Sequence, residues 1–268
     1  MLYIGHRGFR VDCDENTDQA FKKAVQLDMD FLEFDVRLSK DKKIFVLHDS
    51  SLQRVFGVSK QISEMTSKEL NSAKIKSKNY QYPIPTLKHV IEEFLMRPQN
   101  KKDERRAECP IKLMIELKGP DTGIHVAALI SRYLQNNFLK KNDVCLSGRN
   151  LPELKKAHDI LPKIPLCLNI TSCKEFNVDD LFACTSPQEL PMPFDFISLR
   201  ENWIIGQDFI EKCHQLNVQA LTWGFMGLKT PVEKMKQLIK FGIDGILFDS
   251  PHSVSKIRQI GNENPITN

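Results

Sequence analysis

The chain predicts an α/β fold, a (β/α)8 (TIM) barrel with a small insertion after the second strand. Short apolar runs alternate with amphipathic stretches along all 268 residues, and strands alternating with helices imply parallel βαβ units. The count of about eight core strands and eight helices is the inventory of a closed barrel. The Gly-rich fingerprint that the open, doubly wound alternative usually carries is missing.

The first strand is Leu2 to Gly5. Ala20, Phe21, Ala24 and Leu27 recur at helical spacing and mark a helix from Thr17 to Leu27. Phe31 to Val36 is aromatic and β-branched and reads as the second strand, with Ile44 to Leu47 as an extra one. From 50 to about 83 the rhythm breaks into an apolar patch (Val55, Phe56), polar turns and a helical piece at Ser67 to Ala73; this is the insertion. Pro85-Thr86-Leu87 opens a helix to about Leu95. Further strands follow at Ile111 to Leu117, Asp143 to Leu146, Ile164 to Ile170, Phe194 to Leu199, Val218 to Trp223 and Asp244 to Phe248. Helices are expected at Gly123 to Asn136, Leu151 to His158, Asp179 to Ala183, Gln207 to Leu216, Pro231 to Phe241 and Pro251 to Ile260. No Pro/Gly/Ser-rich linker divides the chain, so residues 1–268 are expected to form one domain.

A hydrophobic fraction of 41% and a charged fraction of 27% are those of a soluble globular protein. A net charge of +4 gives no case for nucleic acid or a membrane surface. The mixed-sign run Lys101 to Arg106 reads as a solvated loop. No apolar run approaches the roughly 20 residues of a membrane span. The N-terminus lacks the basic start and long apolar stretch of a secretory signal. The seven cysteines are odd in number and form no CxxC pair, which favours free thiols in a reducing compartment. A cytoplasmic location is the resulting expectation.

Chemistry concentrates at the predicted strand ends. Glu33 and Asp35 lie two apart on one strand and share a face. Side-by-side carboxylates repel unless a cation or a proton sits between them, and a hard cation such as Mg²⁺ or Ca²⁺ takes oxygen ligands. Glu116 and Lys118 repeat the spacing on the third strand, His6-Arg7-Gly8 follows the first, and His48-Asp49 ends the extra strand. In such a barrel these ends form one rim, where active sites sit. Alone, each residue has an ordinary explanation as a rim charge or a structural histidine. Together, carboxylates for a metal, cations for an anion and two histidines for proton transfer suit phosphate-ester cleavage.

The order His6-Arg7-Gly8, Glu15-Asn16-Thr17, Glu33-x-Asp35, His48-Asp49, Pro85-Thr86-Leu87, Glu116-x-Lys118 and Gly242-Ile243-Asp244-Gly245-Ile246 with Asp249 and Pro251 resembles the glycerophosphodiester phosphodiesterase family. The resemblance implies the same barrel, with the insertion after its second strand. It implies metal ligands at Glu33, Asp35 and Glu116, and acid–base histidines at His6 and His48. Arg7 and Lys118 would contact the phosphate, and Glu15 a substrate hydroxyl or a metal-bound water. Asn16 is expected to cap the following helix. Three places depart from the family pattern. Leu221-Thr222-Trp223-Gly224 stands where Trp-Thr-x-Asn is usual, Ser147-Gly148 where Ser-Phe is common, and Arg54-Val55-Phe56 where Arg-Thr-Thr is common. All three bear on the pocket mouth, with Trp223 as a candidate wall.

The substrate expected is a small glycerophosphodiester. Two other functions fit the same rim. One is phospholipase D-like or phospholipase C-like action on a lipid, hinted at by Phe182, Leu190, Met192 and Phe194 near the irregular stretch 171–193. The other is a non-catalytic protein with the same fold. His89, His158 and His214 are expected on helices without partners, His125 and His252 near helix starts, and Trp203 in the packing.

Overall fold

The computed structural model describes residues 1–72, 74–76, 81–95 and 111–263; the charged run at 101–106 and Cys109 lie outside them. Its strands are β1 (Leu2–His6), β2 (Phe31–Leu38), β3 (Ile44–Val46), β4 (Lys74–Lys76), β5 (Gln81–Pro83), β6 (Lys112–Leu117), β7 (Val144–Gly148), β8 (Leu166–Asn169), β9 (Phe196–Arg200), β10 (Gln219–Trp223) and β11 (Gly245–Phe248). Eight of them, β1, β2 and β6 to β11, pair in parallel in chain order. β1 bonds to both β2 and β11, so the sheet closes into the expected (β/α)8 barrel.

The helices are α1 (Asp18–Gln26), α2 (Gln53–Phe56), α3 (Ser67–Ser72), α4 (Leu87–Phe94), α5 (Thr122–Gln135), α6 (Leu151–Ile160), α7 (Val178–Ala183), α8 (Asp208–Gln215), α9 (Pro231–Lys240) and α10 (Pro251–Glu263). α1 and α4 to α9 are the crossovers, and α10 follows the last strand. Their starts are written locally. The Thr17, Thr86 and Asn150 side chains accept hydrogen bonds from Ala20, His89 and Glu153 amides, satisfying groups the helix leaves open. The cap of α1 is therefore Thr17, not Asn16.

Alternation along each strand separates two cores. One residue from each barrel strand (Ile4, Phe31, Met114, Cys145, Cys167, Phe196, Leu221, Leu247) fills the barrel interior. Residues of opposite parity, such as Leu32, Phe34, Leu113 and Ile115, pack outward under the helices. The interior layer is closed by apolar side chains, so polar residues at the strand ends sit above a dry floor.

β3 runs antiparallel to β2, with Val46 opposite Val36. The insertion behind it holds α2, α3 and the hairpin β4–β5, and it has its own core of Phe45, Leu47, Leu52, Ile62, Met65, Leu70 and Ile84. Its pieces are too short to show a period, which is why the sequence reads there as irregular. The loop at 171–193 differs from expectation. Leu190, Met192 and Phe194 are buried in the main core and only Phe182 is exposed, so this loop offers no apolar face for lipid. Trp203 is also not a packing residue, since 56% of it is exposed. His89 and His214 have partners: each places Nε2 2.8 Å from a carboxylate, of Asp18 and Asp244 respectively.

The turn after β1 packs closely against α1. Gly8 has φ of +77°, and a Cβ there would lie 2.4 Å from the Ala20 Cβ and 2.7 Å from its backbone carbon. Gly8→Ala is expected to cost about 2–4 kcal/mol, combining a left-handed backbone with an overpacked contact. Urea unfolding checks this, and an unchanged midpoint would mean that α1 does not rest on this turn.

Candidate active site

The alternation that fills the barrel also builds the site one layer higher. His6 stands above Ile4, Glu33 above Phe31 and Glu116 above Met114, each two residues on along its strand. Register aligns His6 with Glu33 and Asp35 with Glu116 across neighbouring strands. Glu33, Asp35 and Glu116 are all buried and each offers an oxygen within 4.8 Å of the others'.

Counter-charges crowd this cluster. Lys118 Nζ lies 3.0 Å from Glu116 Oε1 and 3.2 Å from Asp35 Oδ1. Arg7 Nε stands 3.1 Å from Asp35 Oδ2, and the Arg7 amide donates to Glu33 Oε2 at 3.0 Å. Asn16 Nδ2 donates to Asp35 Oδ2 at 3.2 Å, and Arg149 to Glu116 Oε1 at 3.3 Å. Burial works against an ionised Asp35, but Lys118 and Arg7 hold its carboxyl far below the usual range. Glu33 goes the other way: burial, then the charges of Asp35 and Glu116, push it well above the ordinary value despite Arg7. Asp35 and Glu116 thus have cations within ion-pair distance, while Glu33 has the Arg7 amide and, at 3.9 Å, the His6 ring. Asp35 Oδ1 is buried and accepts no well-formed hydrogen bond, although Lys118 is near. An oxygen-only set of three buried carboxylates fits a hard divalent cation.

Both histidines are held by aspartates. His6 Nδ1 lies 2.7 Å from Asp249 Oδ1, and His48 Nδ1 lies 2.6 Å from Asp49 Oδ1. Burial raises the pKa of each aspartate, but hydrogen bonds from His6 to Asp249 and from Arg54 to Asp49 pull both below the usual range. An ionised carboxylate only accepts, so Nδ1 is the donor in each pair and Nε2 is left to exchange a proton. His6 Nε2 is 3.9 Å from Glu33 Oε2. Burial lowers the pKa of both imidazoles, and the nearby carboxylates only partly offset it. His48 is tied in through its backbone, whose carbonyl accepts from Arg37 Nε at 2.7 Å.

Glu15 bridges two arginines, taking Arg7 NH1 on Oε1 at 3.2 Å and Arg54 NH2 on the same oxygen at 2.6 Å. Arg54 also donates to Asp49. All nine candidate residues therefore gather on this rim, Trp223 among the residues lining the cleft. Four further participants had weak signals. Asn16 looked like a cap, Asp249 and Arg54 appeared only within motifs, and Arg149 is marked only by lying two residues past Ser147. A larger groove, about 520 Å³, lies elsewhere, between β3, α3, α4 and α5; the cleft over the carboxylates is about 40 Å³. Chemistry decides between them, because the groove is lined by Lys42, Lys43, His125 and Arg132 and has no carboxylate cluster.

The glycerophosphoryl diester phosphodiesterase family model matches residues 6–253. A glycerophosphodiester phosphodiesterase of Caldanaerobacter subterraneus subsp. tengcongensis is 26% identical over 267 residues, covering 97% of this chain and 98% of that protein. A human lysophospholipase D is 34% identical over 110 residues, covering 37% of this chain and 34% of its own length. Among solved structures, an Oleispira antarctica phosphodiesterase in complex with the product sn-glycerol-3-phosphate matches with a TM-score of 0.75 at 19% identity, covering 97% of each chain. At that identity the likeness is one of fold.

Asp249 gives a stability test independent of the reaction. Burial pushes its carboxyl up, yet His6 and Arg10 bring it down to about 2. A carboxylate whose folded pKa is depressed stabilises fully above its unfolded pKa of about 3.9, and that contribution is lost as pH falls through the folded value. Asp249→Asn is expected to lose roughly 2 kcal/mol at pH 7, with the gap to the parent closing between about pH 4 and pH 2. Urea unfolding across that range checks it, and a gap that persists at low pH would assign the loss to packing.

Proposed function

Because the chain belongs to the glycerophosphoryl diester phosphodiesterase family, and is thereby a phosphoric diester hydrolase, we propose that it cleaves glycerophosphodiesters to an alcohol and glycerol phosphate using a divalent cation, Mg²⁺ or Ca²⁺, and two histidines. Residues 1–268 act in this reading as one catalytic domain. The observation that carries it is the buried trio Glu33, Asp35 and Glu116, flanked by two aspartate-held imidazoles.

A cation on those three carboxylates supplies positive charge against the diester anion and the charge that builds in the transition state. Arg7 and Lys118, which otherwise balance Asp35 and Glu116, then turn to phosphate oxygens, Arg7 as a fork and Lys118 as a point charge. Glu15 carries Arg7 on one of its oxygens, which supports orientation of that fork as its contribution. His6 takes the proton of the attacking oxygen, either of water, which gives glycerol phosphate directly, or of a neighbouring glycerol hydroxyl, which gives a cyclic phosphate that water then opens. His48 protonates the leaving alkoxide. Depth supports this division: the His6 side chain is 7% exposed and the His48 side chain 27%, nearer the mouth where an alcohol departs. Each transfer is typically worth about 10²–10⁴-fold.

Trp203, Ile205 and Met226, exposed on the loops after β9 and β10, favour a second reading in which a diester with an acyl chain rests on this rim. Lipid vesicles separate the two, since co-sedimentation that requires Trp203 and Ile205 supports only the second. Among the described residues no helix is long and apolar enough to cross a membrane.

Stripping divalent metal is expected to abolish hydrolysis of glycerophosphodiesters, and adding Mg²⁺ or Ca²⁺ to restore it in the parent but not in Glu33→Gln. Full activity in chelator would sink the metal assignment. With one histidine neutral and the other protonated, rate against pH should be bell-shaped. His48→Ala should lower kcat by about 10²-fold or more with little change in substrate affinity. A flat profile with near-normal turnover of the variant would remove His48 from the chemistry.

A further inference from the structure

Cations reach the carboxylate trio from both flanks. Glu33 and Asp35 stand on β2 and Glu116 on β6, with β1 beside β2 and β7 beside β6. Arg7 follows β1 on one flank, and Arg149 follows β7 on the other. Lys118 follows β6 between them. The family resemblance assigns Arg7 and Lys118 to the phosphate and leaves Arg149 without a role. Yet Arg149 lines the same cleft as His6, Arg7, Glu33 and Glu116.

Arg149 is the least tethered of the three. Arg7 contacts both Asp35 and Glu15, and Lys118 both Asp35 and Glu116. Arg149 pairs with Glu116 alone among the described residues, through one nitrogen at 3.3 Å. Its side chain is 39% exposed, against 10% for Arg7 and 6% for Lys118. It also falls on the same Glu116 oxygen that Lys118 holds at 3.0 Å. One carboxylate oxygen thus serves two cations, and a metal ion on the trio is a third claimant. An anion arriving above them offers the displaced cation a new partner. Gly148 keeps the approach open. Its backbone is not left-handed, and a Cβ there would meet nothing nearer than 3.6 Å, so neither conformation nor packing demands a glycine. The side chain missing at 148, where the family commonly carries Phe, leaves this wall of the cleft to Arg149.

We infer that Arg149 is a further catalytic residue: when a metal ion occupies the trio, its guanidinium leaves Glu116 and binds a non-bridging phosphate oxygen from the flank opposite Arg7. The planar fork of arginine suits phosphate oxygens, and a charge-assisted bond strengthens as negative charge builds on them. The same contact is stronger with a phosphate monoester, which carries about two charges near pH 7, than with the singly charged diester. The inference rests on the phosphodiesterase reading of the site and adds a contact that the family pattern does not supply.

The test compares the metal-loaded full chain with Arg149→Gln and Arg149→Lys. Three quantities are measured: kcat/KM for glycerophosphocholine, calorimetric binding of sn-glycerol 3-phosphate, and the Mg²⁺ concentration that gives half the maximal rate. Arg149→Gln is expected to lower kcat/KM about 10-fold or more, and to weaken sn-glycerol 3-phosphate binding by a similar factor. Arg149→Lys keeps the charge without the fork and should recover part of both losses. The Mg²⁺ midpoint should hardly move. A residue that only balances Glu116 behaves otherwise: Arg149→Gln would free a carboxylate for the metal, lower the Mg²⁺ midpoint and leave sn-glycerol 3-phosphate binding at the parent's value. That result overturns the inference while an active parent keeps the hydrolase reading standing. Circular dichroism of both variants secures that they fold. A metal-loaded parent that turns over no glycerophosphodiester removes the hydrolase reading, and the inference falls with it.

Discussion

Three carboxylates buried within 4.8 Å of one another at the mouth of a barrel are the constraint on which the site depends. Their repulsion grows as water is excluded, so the surrounding chain must bring positive charge and hydrogen-bond donors to them. The loop after β1 shows how far the backbone bends to do so. Arg7 and Asn16 sit in the left-handed region, with φ of 52° and 59°, a conformation that side chains with a Cβ rarely adopt. Both are repaid in contacts to the cluster: Arg7 through its amide and guanidinium, Asn16 through its side-chain amide. Local strain and the carboxylate cluster are thus two sides of one arrangement.

The insertion belongs to the same arrangement. β3 ends where the Leu47 amide bonds to the Asp35 carbonyl at 2.9 Å, which fixes His48 beside the carboxylate cluster. From His48 a chain of charged contacts runs through Asp49, Arg54 and Glu15 back to Arg7. Arg54 stands on α2, which follows Leu52, a fully buried member of the insertion's own core. Packing in a subdomain remote from the barrel core therefore sets the position of an imidazole and a guanidinium in the site. Exposed ion pairs contribute little on their own, and the value of this chain of contacts lies in geometry: it links His48 to Arg7 through rigid elements.

The barrel was legible because its strands are short, buried on both faces and separated by helices with readable caps. The carboxylates were legible because a period of two places Glu33 with Asp35, and Glu116 with Lys118, on the barrel's inner face. What escaped did so for identifiable reasons. Asn16 and Thr17 are both good caps one residue apart, and only the tertiary pull of Asp35 on Asn16 assigns the cap to Thr17. Leu190, Met192 and Phe194 lie in a stretch without a period, so nothing local shows that they turn inward. Trp203 is the reverse case, a large apolar residue that sequence alone places in the packing and the fold leaves exposed. His89 and His214 find carboxylates 71 and 30 residues away, separations that no local pattern encodes.

The layer beneath the carboxylates bears on which cation the cluster suits. Met114, Cys145 and Cys167 lie among the apolar residues that fill the barrel interior, and Cys167 reaches the cleft itself. A thiolate there would add a soft ligand to a hard set. Burial, reinforced by the charges of Glu116 and Glu33, pushes the Cys167 thiol far above its ordinary value and keeps it protonated. A neutral thiol acts as a small apolar side chain. The negative charge of the carboxylates thus helps to keep Cys167 a neutral thiol. The floor offers no thiolate, and the three carboxylates above it form an oxygen-only cluster that could hold a metal ion.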